Sequence, residues 1–256
     1  MADDPATDPN ALRRGSPLTP EIVEEVEEVT SELWASQARA GEPGRAGARR
    51  VTSALDRLLD SIATSVVERP LDVRSVEEAA AAIEAMASNL SSKAGSAWAM
   101  WAVARMRRVL VRKWRFTPSG TMITAGVSVL TSVTCGAAEL RVLGSFLVHR
   151  LREAGIPVTA RLVRRITLTL YLDPHATAGS VEPNRLGGAR LLGRWSKDAL
   201  PVWNHKRALR RGVRAAEAID RLDLAAVAAT LPALPPATPR ALGASSLPDG
   251  NANDVR

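Results

Sequence analysis

The chain has 256 residues, 46% hydrophobic and 24% charged, enough for one large or two small domains with a sizeable core. Its net charge of +7 is uneven: residues 1–44 hold ten acids and three arginines, a net of −7, so the remainder carries +14. The single cysteine, Cys135, excludes an internal disulfide, and a basic body behind an acidic front points to an anionic partner, phosphodiester or anionic lipid. The opening MADDPATDPN has neither the basic nor the apolar region of a secretory signal, so a cytoplasmic location is expected. Heavy use of Ala, Arg and Val fits a GC-rich bacterial gene.

Residues 1–18 lack periodicity and contain Pro5, Pro9 and Pro17; a disordered start is expected. Thr19-Pro20 reads as an N-cap with proline at the first helical position. Ile22, Val26, Val29 and Leu33 follow on one helix face, with a row of glutamates opposite. GEPGRAG at 41–47 breaks that helix. A second is expected over about 48–68, with Val51, Leu55, Leu58, Ile62 and Val66 on its seam and Arg69-Pro70 at its end. Ser75 and Glu78 form a capping-box pattern opening a third, with Val76, Ala80, Ile83 and Leu90 inward. Residues 19–95 therefore read as an acidic-fronted region of packed helical hairpins.

The next stretch, AWAMWAVARMRRVLVRKWRF at 97–116, holds three of the six tryptophans and six cations with no acid. On a helical wheel Arg105, Arg108, Arg112 and Arg115 share an arc of about 80°. Met100, Val103, Met106, Leu110, Val111 and Trp114 lie opposite, while Arg107 and Trp101 sit on the wrong arcs. Residues 117–138 then carry no charge. Their length suits a bilayer span. Their Thr, Ser, Gly and Ala content, with Ser128, Ser132 and Gly136 at every fourth position, suits a helix buried in a bundle better.

A separate helix is expected at 139–154, ended by Gly155 and Pro157. RRITLTLYLD at 164–173 alternates like a strand, but no partner strand is evident and Leu162, Ile166 and Leu170 also fit a helix, which is the reading taken. After a loop at 173–188, helices are expected at about 189–198, 200–220 and 223–230. The Pro- and Ala-rich 231–256 reads as a disordered tail. The expected fold is all-α: a multi-helix bundle with disordered termini, whose basic part spans 96–230.

No catalytic constellation emerges. His149, His175 and His205 show no metal-ligand spacing, and Asp173 with His175 is too small a set for a metal. Cys135 has no activating base nearby in sequence. No phosphate-binding loop is present, and no cofactor or metal is expected. Two basic stretches remain, 97–116 and HKRALRRGVR at 205–214, the latter preceded by Trp195 and Trp203.

The expected function is that of a non-enzymatic, peripheral membrane-associated or scaffolding protein, at the inner face of the cell membrane. It would bind anionic surfaces through Arg105, Arg108, Arg112, Arg115, Lys206, Arg207, Arg210, Arg211 and Arg214, with Trp98, Trp101 and Trp114 interfacial. The alternative is a nucleic-acid-binding protein in which the same arginines meet phosphates and tryptophans stack on bases. Residues 136–157, GAAELRVLGSFLVHRLREAGIP, and 186–220, LGGARLLGRWSKDALPVWNHKRALRRGVRAAEAID, resemble the bacterial EcsC family and related helical tails of bacterial GTPases. Gly136, Glu139, Pro201 and the helix 204–220 take the places of that pattern, while Trp203-Asn204-His205 stands where the family is usually glycine-rich. The resemblance implies an all-helical, membrane-associated accessory protein with no established catalytic residues.

Overall fold

The computed structural model describes residues 18–38, 45–91, 120–177, 190–191, 195 and 205–230. Both termini, the 97–116 stretch with its arginines and tryptophans, Pro201 and Trp203 lie outside the described residues. Among those described every regular element is a helix: α1 (Pro20–Ala38), α2 (Arg45–Glu68), α3 (Val76–Ser91), α4 (Gly120–Glu153), α5 (Ala160–Leu172), α6 (His205–Asp220) and α7 (Leu224–Thr230).

The capping signals act as read. Thr19 Oγ1 accepts from the Ile22 N–H at 3.5 Å and Pro20 opens α1, where its missing N–H costs nothing. Ser75 Oγ accepts from the Glu78 N–H at 3.2 Å. Glu78 returns a bond at 2.6 Å to the N–H of Arg74, one residue further out than a closed capping box would place it. Thr159 caps α5 through the Leu162 N–H at 3.2 Å. The α1 seam is buried at Ile22, Val26 and Val29, with Leu33 partly covered; the α2 seam is buried at Val51, Leu55, Leu58, Ile62 and Val66. RRITLTLYLD belongs to a helix, with Leu162, Ile166 and Leu170 inward.

One expectation is corrected. The uncharged segment and the 139–154 helix are a single 34-residue helix, α4, because nothing between Ala138 and Glu139 interrupts the i to i−4 ladder. From Val142 to Val148 every α4 side chain is buried, since α1, α2, α3, α5 and α6 surround it. A helix apolar on all sides is the centre of a bundle. No helix among the described residues is long and apolar enough to cross a membrane. The buried residues form one apolar cluster from Leu18 to Val227.

Side-chain contacts set the helix directions. Val66 and Val163 flank Gly144, and Leu59 and Ile62 share a small cavity with Leu140, so α2 runs parallel to α4. Arg211 meets Glu139 and Arg150 meets Asp220, so α6 is parallel too. The loop before α3 is held at the far end of α4: Ser145 Oγ accepts from the Leu71 N–H at 3.0 Å, and His149 Nε2 lies 3.0 Å from the Leu71 carbonyl. Because Ile83 then meets Gly212, α3 runs back antiparallel to α4. The far end of α4 stops in a Schellman turn. Gly155 has φ +67°, the Ile156 N–H reaches the Leu151 carbonyl at 2.9 Å, and the Gly155 N–H reaches the Arg152 carbonyl at 3.0 Å.

Candidate functional site

Two arrangements of chemistry-bearing side chains stand out, one inside the bundle and one on it. The inner one centres on Glu139, fully buried on the central helix. Tyr171 of α5 donates its hydroxyl hydrogen to Glu139 Oε2 at 2.5 Å, and Arg211 of α6 reaches the same oxygen at 3.2 Å. The Arg211 guanidinium also lies 4.9 Å from the Tyr171 ring centroid, within cation–π range. Trp195 Nε1 donates to the Tyr171 oxygen at 3.3 Å. Its indole crosses α4 where Gly136 leaves room: a Cβ there would stand 2.2 Å from the ring. Gly136 and Glu139 thus serve one cluster, the glycine admitting the indole and the acid receiving α5 through Tyr171 and α6 through Arg211.

The cluster's electrostatics favour fixed protonation states. Burial pushes the Tyr171 phenol well above its ordinary value, and the Glu139 charge adds to the effect. Tyr171 is therefore a neutral donor. Burial likewise raises the Cys135 thiol, again with help from Glu139, so Cys135 is held as the less reactive thiol. Glu139, Tyr171, Arg211 and Trp195 join α4, α5, α6 and the Trp195 segment by hydrogen bonds, those to the Glu139 carboxylate charge-assisted, which fix direction more strictly than apolar contact does.

The second arrangement is the outer side of α6. Gly212, Ala215, Ala216, Ala218 and Ile219 face the bundle and are buried. Arg210 and Arg214 are exposed on the other side, and neither forms an ion pair among the described residues. Lys206 and Arg207 occupy the first turn of the same helix. Cations at a helix N-terminus oppose its dipole, by some tenths of a kcal/mol each, so helix stability does not account for them. Arg164 and Arg57, by contrast, are engaged within the bundle: Arg164 bridges Asp56 and Asp60 at 2.6 Å each, and Arg57 meets Glu25 at 3.4 Å.

Arg211, counted from sequence among the surface cations, has another place. Its side chain is 12% exposed and directed to Glu139, because it shares the α6 face of Ala215 and Ala218. The helical wheel of 205–220 carries that signal; the density of cations around it obscured the signal. In the sequence Glu139 enters only as a position of the EcsC-like pattern and Tyr171 carries no signal, although an isolated acid between two apolar runs is the available clue to the cluster. Arg105, Arg108, Arg112, Arg115, Trp98, Trp101 and Trp114 lie outside the described residues. Asp173 and His175 form a local turn in which the Asp173 carboxylate accepts from the His175 N–H at 3.1 Å.

Compared with protein-family models, with curated proteins and with solved structures, the chain matches none.

Proposed function

We propose that the chain is a non-catalytic, peripheral membrane-associated module that binds an anionic surface through the outer side of α6 together with the basic 97–116 stretch. The observation that carries this reading is the division of α6. One side is committed to the core, and the other presents Arg210 and Arg214 to solvent without an acid paired to either among the described residues. The EcsC-like pattern read in the sequence at 136–157 and 186–220 implies the same class.

The buried face of α6 also restricts the mode of binding. Its apolar residues are used by the bundle, so α6 meets a membrane by charge and does not insert. Any apolar contribution comes from Trp98, Trp101 and Trp114 in the other basic stretch. The test is co-sedimentation of the full chain with phosphatidylserine-containing and with pure phosphatidylcholine vesicles, at low and high salt. Binding only to the anionic vesicles is expected. Arg210→Gln/Arg214→Gln should weaken it, and Trp98→Ala/Trp101→Ala/Trp114→Ala should weaken the part that survives high salt, because screening leaves the apolar term untouched. Tighter binding to DNA or RNA than to anionic vesicles at equal salt would move the assignment to nucleic acid. Binding to neither would refute the proposal.

A further inference from the structure

Charge is divided among the helices by sign. α1 carries six glutamates and α3 three, with no cation on either. α5 carries three arginines and no acid, and α6 five cations against two acids, Glu217 and Asp220. The packing turns that division into a polarity across the bundle. α1, α2, α3, α5 and α6 all pack on α4; among themselves α1 touches α2, α2 touches α5, α5 touches α6 and α6 touches α3. The order around α4 is therefore α1, α2, α5, α6, α3. The two basic helices are neighbours, and the two acidic helices, the ends of that order, stand on the side away from α5.

The outward sides of α5 and α6 make one face. α5 buries Leu162, Val163, Ile166 and Leu170, which leaves Arg161 exposed and Arg165 partly exposed, one turn apart, on its other side. Neither forms an ion pair among the described residues, whereas Arg164, on the flank toward α2, is taken up by Asp56 and Asp60. The Arg165 Nε is covered and has no hydrogen-bond partner among the described residues, so no internal acceptor accounts for the side chain. Val163 beside Gly144 and Tyr171 beside Glu139 make α5 antiparallel to α4, and hence to α6. From the contact of Tyr171 with Arg211, counting back along α5 and forward along α6 leads the same way. At 1.5 Å per residue, Arg161, Arg165, Arg210 and Arg214 spread over about 17 Å of the α5–α6 seam. The acids of α6 are engaged: the Glu217 carboxylate lies 3.9 Å from Arg221, and Asp220 meets Arg150 at 3.5 Å. Past the end of α5, the Asp173 carboxylate accepts from the His175 N–H. On the acidic helices Glu24, Glu77 and Glu84 are exposed.

We infer that the bundle docks side-on to an anionic lipid surface through the α5–α6 face, with Arg161 and Arg165 in the contact and the helix axes near the membrane plane. The inference rests on the membrane reading above and deepens it by assigning the orientation and two further contact residues on a second helix. A flat anionic plane suits this face because it meets arginines of two adjacent helices at once, along the length of their seam. The same plane repels the glutamates of α1 and α3, and the packing order holds those helices off on the side away from α5, so attraction and repulsion select one orientation.

The test uses the full chain and vesicles of phosphatidylcholine with phosphatidylserine. Arg161→Gln/Arg165→Gln removes two charges from the face. A cation at an anionic leaflet is worth roughly fivefold in affinity, so this pair should weaken binding about twentyfold, while Arg161→Lys/Arg165→Lys stays within about twofold of the wild type. Adding Glu24→Gln/Glu84→Gln to the first pair restores the net charge of +7 without restoring the face, and binding should stay weak. Circular dichroism and a thermal melt of each variant check that the fold is kept. Recovery of wild-type affinity in the four-site variant would show net charge alone at work and overturn the inference. Hydrogen exchange on vesicle binding should slow in 160–172 and 209–216 and leave 20–33 and 76–85 unchanged; protection of 20–33 instead would overturn docking by this face. If Arg210→Gln/Arg214→Gln weakens binding but Arg161→Gln/Arg165→Gln does not, the inference fails and the membrane reading stands. A wild-type chain that ignores anionic vesicles overturns both.

Discussion

Replacing Arg211 with methionine separates a structural cation from the surface cations around it. Its side chain is 12% exposed and Glu139 is fully buried, so solvent screens the pair little. Removing the guanidinium leaves the Glu139 carboxylate in the interior without that cation and with the Tyr171 hydroxyl still on Oε2. Breaking a buried pair from one side costs about 3–5 kcal/mol. For a chain of this size that lowers the melting temperature by roughly 10 °C. Replacing both partners behaves differently. In Glu139→Gln/Arg211→Met neither charge of the pair remains, and the glutamine carbonyl still accepts from Tyr171. The double variant should therefore regain at least about 1 kcal/mol over Arg211→Met alone, since neutralising both members removes the desolvation penalty that one member leaves behind. Urea unfolding of the wild type, both single variants and the double variant, followed by circular dichroism, reads the cycle directly. A double variant as unstable as Arg211→Met or worse would refute the argument that the single loss is a buried-charge penalty.

Two further predictions concern stability. Tyr171 and Cys135 both have folded-state proton affinities raised above their ordinary values of 10.0 and 9.0. The folded chain holds these protons where the unfolded chain releases them, so their contribution is fully present below those values and is lost as pH rises beyond them. Unfolding free energy measured against pH should fall above about pH 9, with Tyr171→Phe flattening the part beyond about pH 10; an identical alkaline slope in that variant would contradict the buried placement of the phenol. Gly155→Ala should cost about 1–2 kcal/mol, because φ +67° strains any Cβ there although nothing lies within 4 Å to clash with it. A melting temperature unchanged by that substitution would refute the strained turn.

Much of the architecture is local chemistry and was legible along the chain. Thr19-Pro20 and Ser75 with Glu78 start helices because a hydroxyl placed three residues before an unpaired N–H can satisfy it, and that relation is sequential. The seams of α1 and α2 are periodic, so their buried faces follow from spacing alone. The same locality explains the error at Ala138–Glu139. A charged residue after an uncharged run looks like a boundary, whereas a helix stops only for a break in its ladder, and none is encoded there before Gly155.

What composition and periodicity determined by themselves is the class: an all-helical chain, basic behind an acidic front, with cations concentrated in two stretches. They could not assign individual arginines. Arg210 and Arg211 are neighbours in sequence and identical in chemistry, yet a turn of 100° on α6 exposes one and sends the other to Glu139. Only the packing of α6 against α4 and α5 decides which is which. Sequence specifies which side chains carry charge; the directions in which the helices pack decide where those charges add.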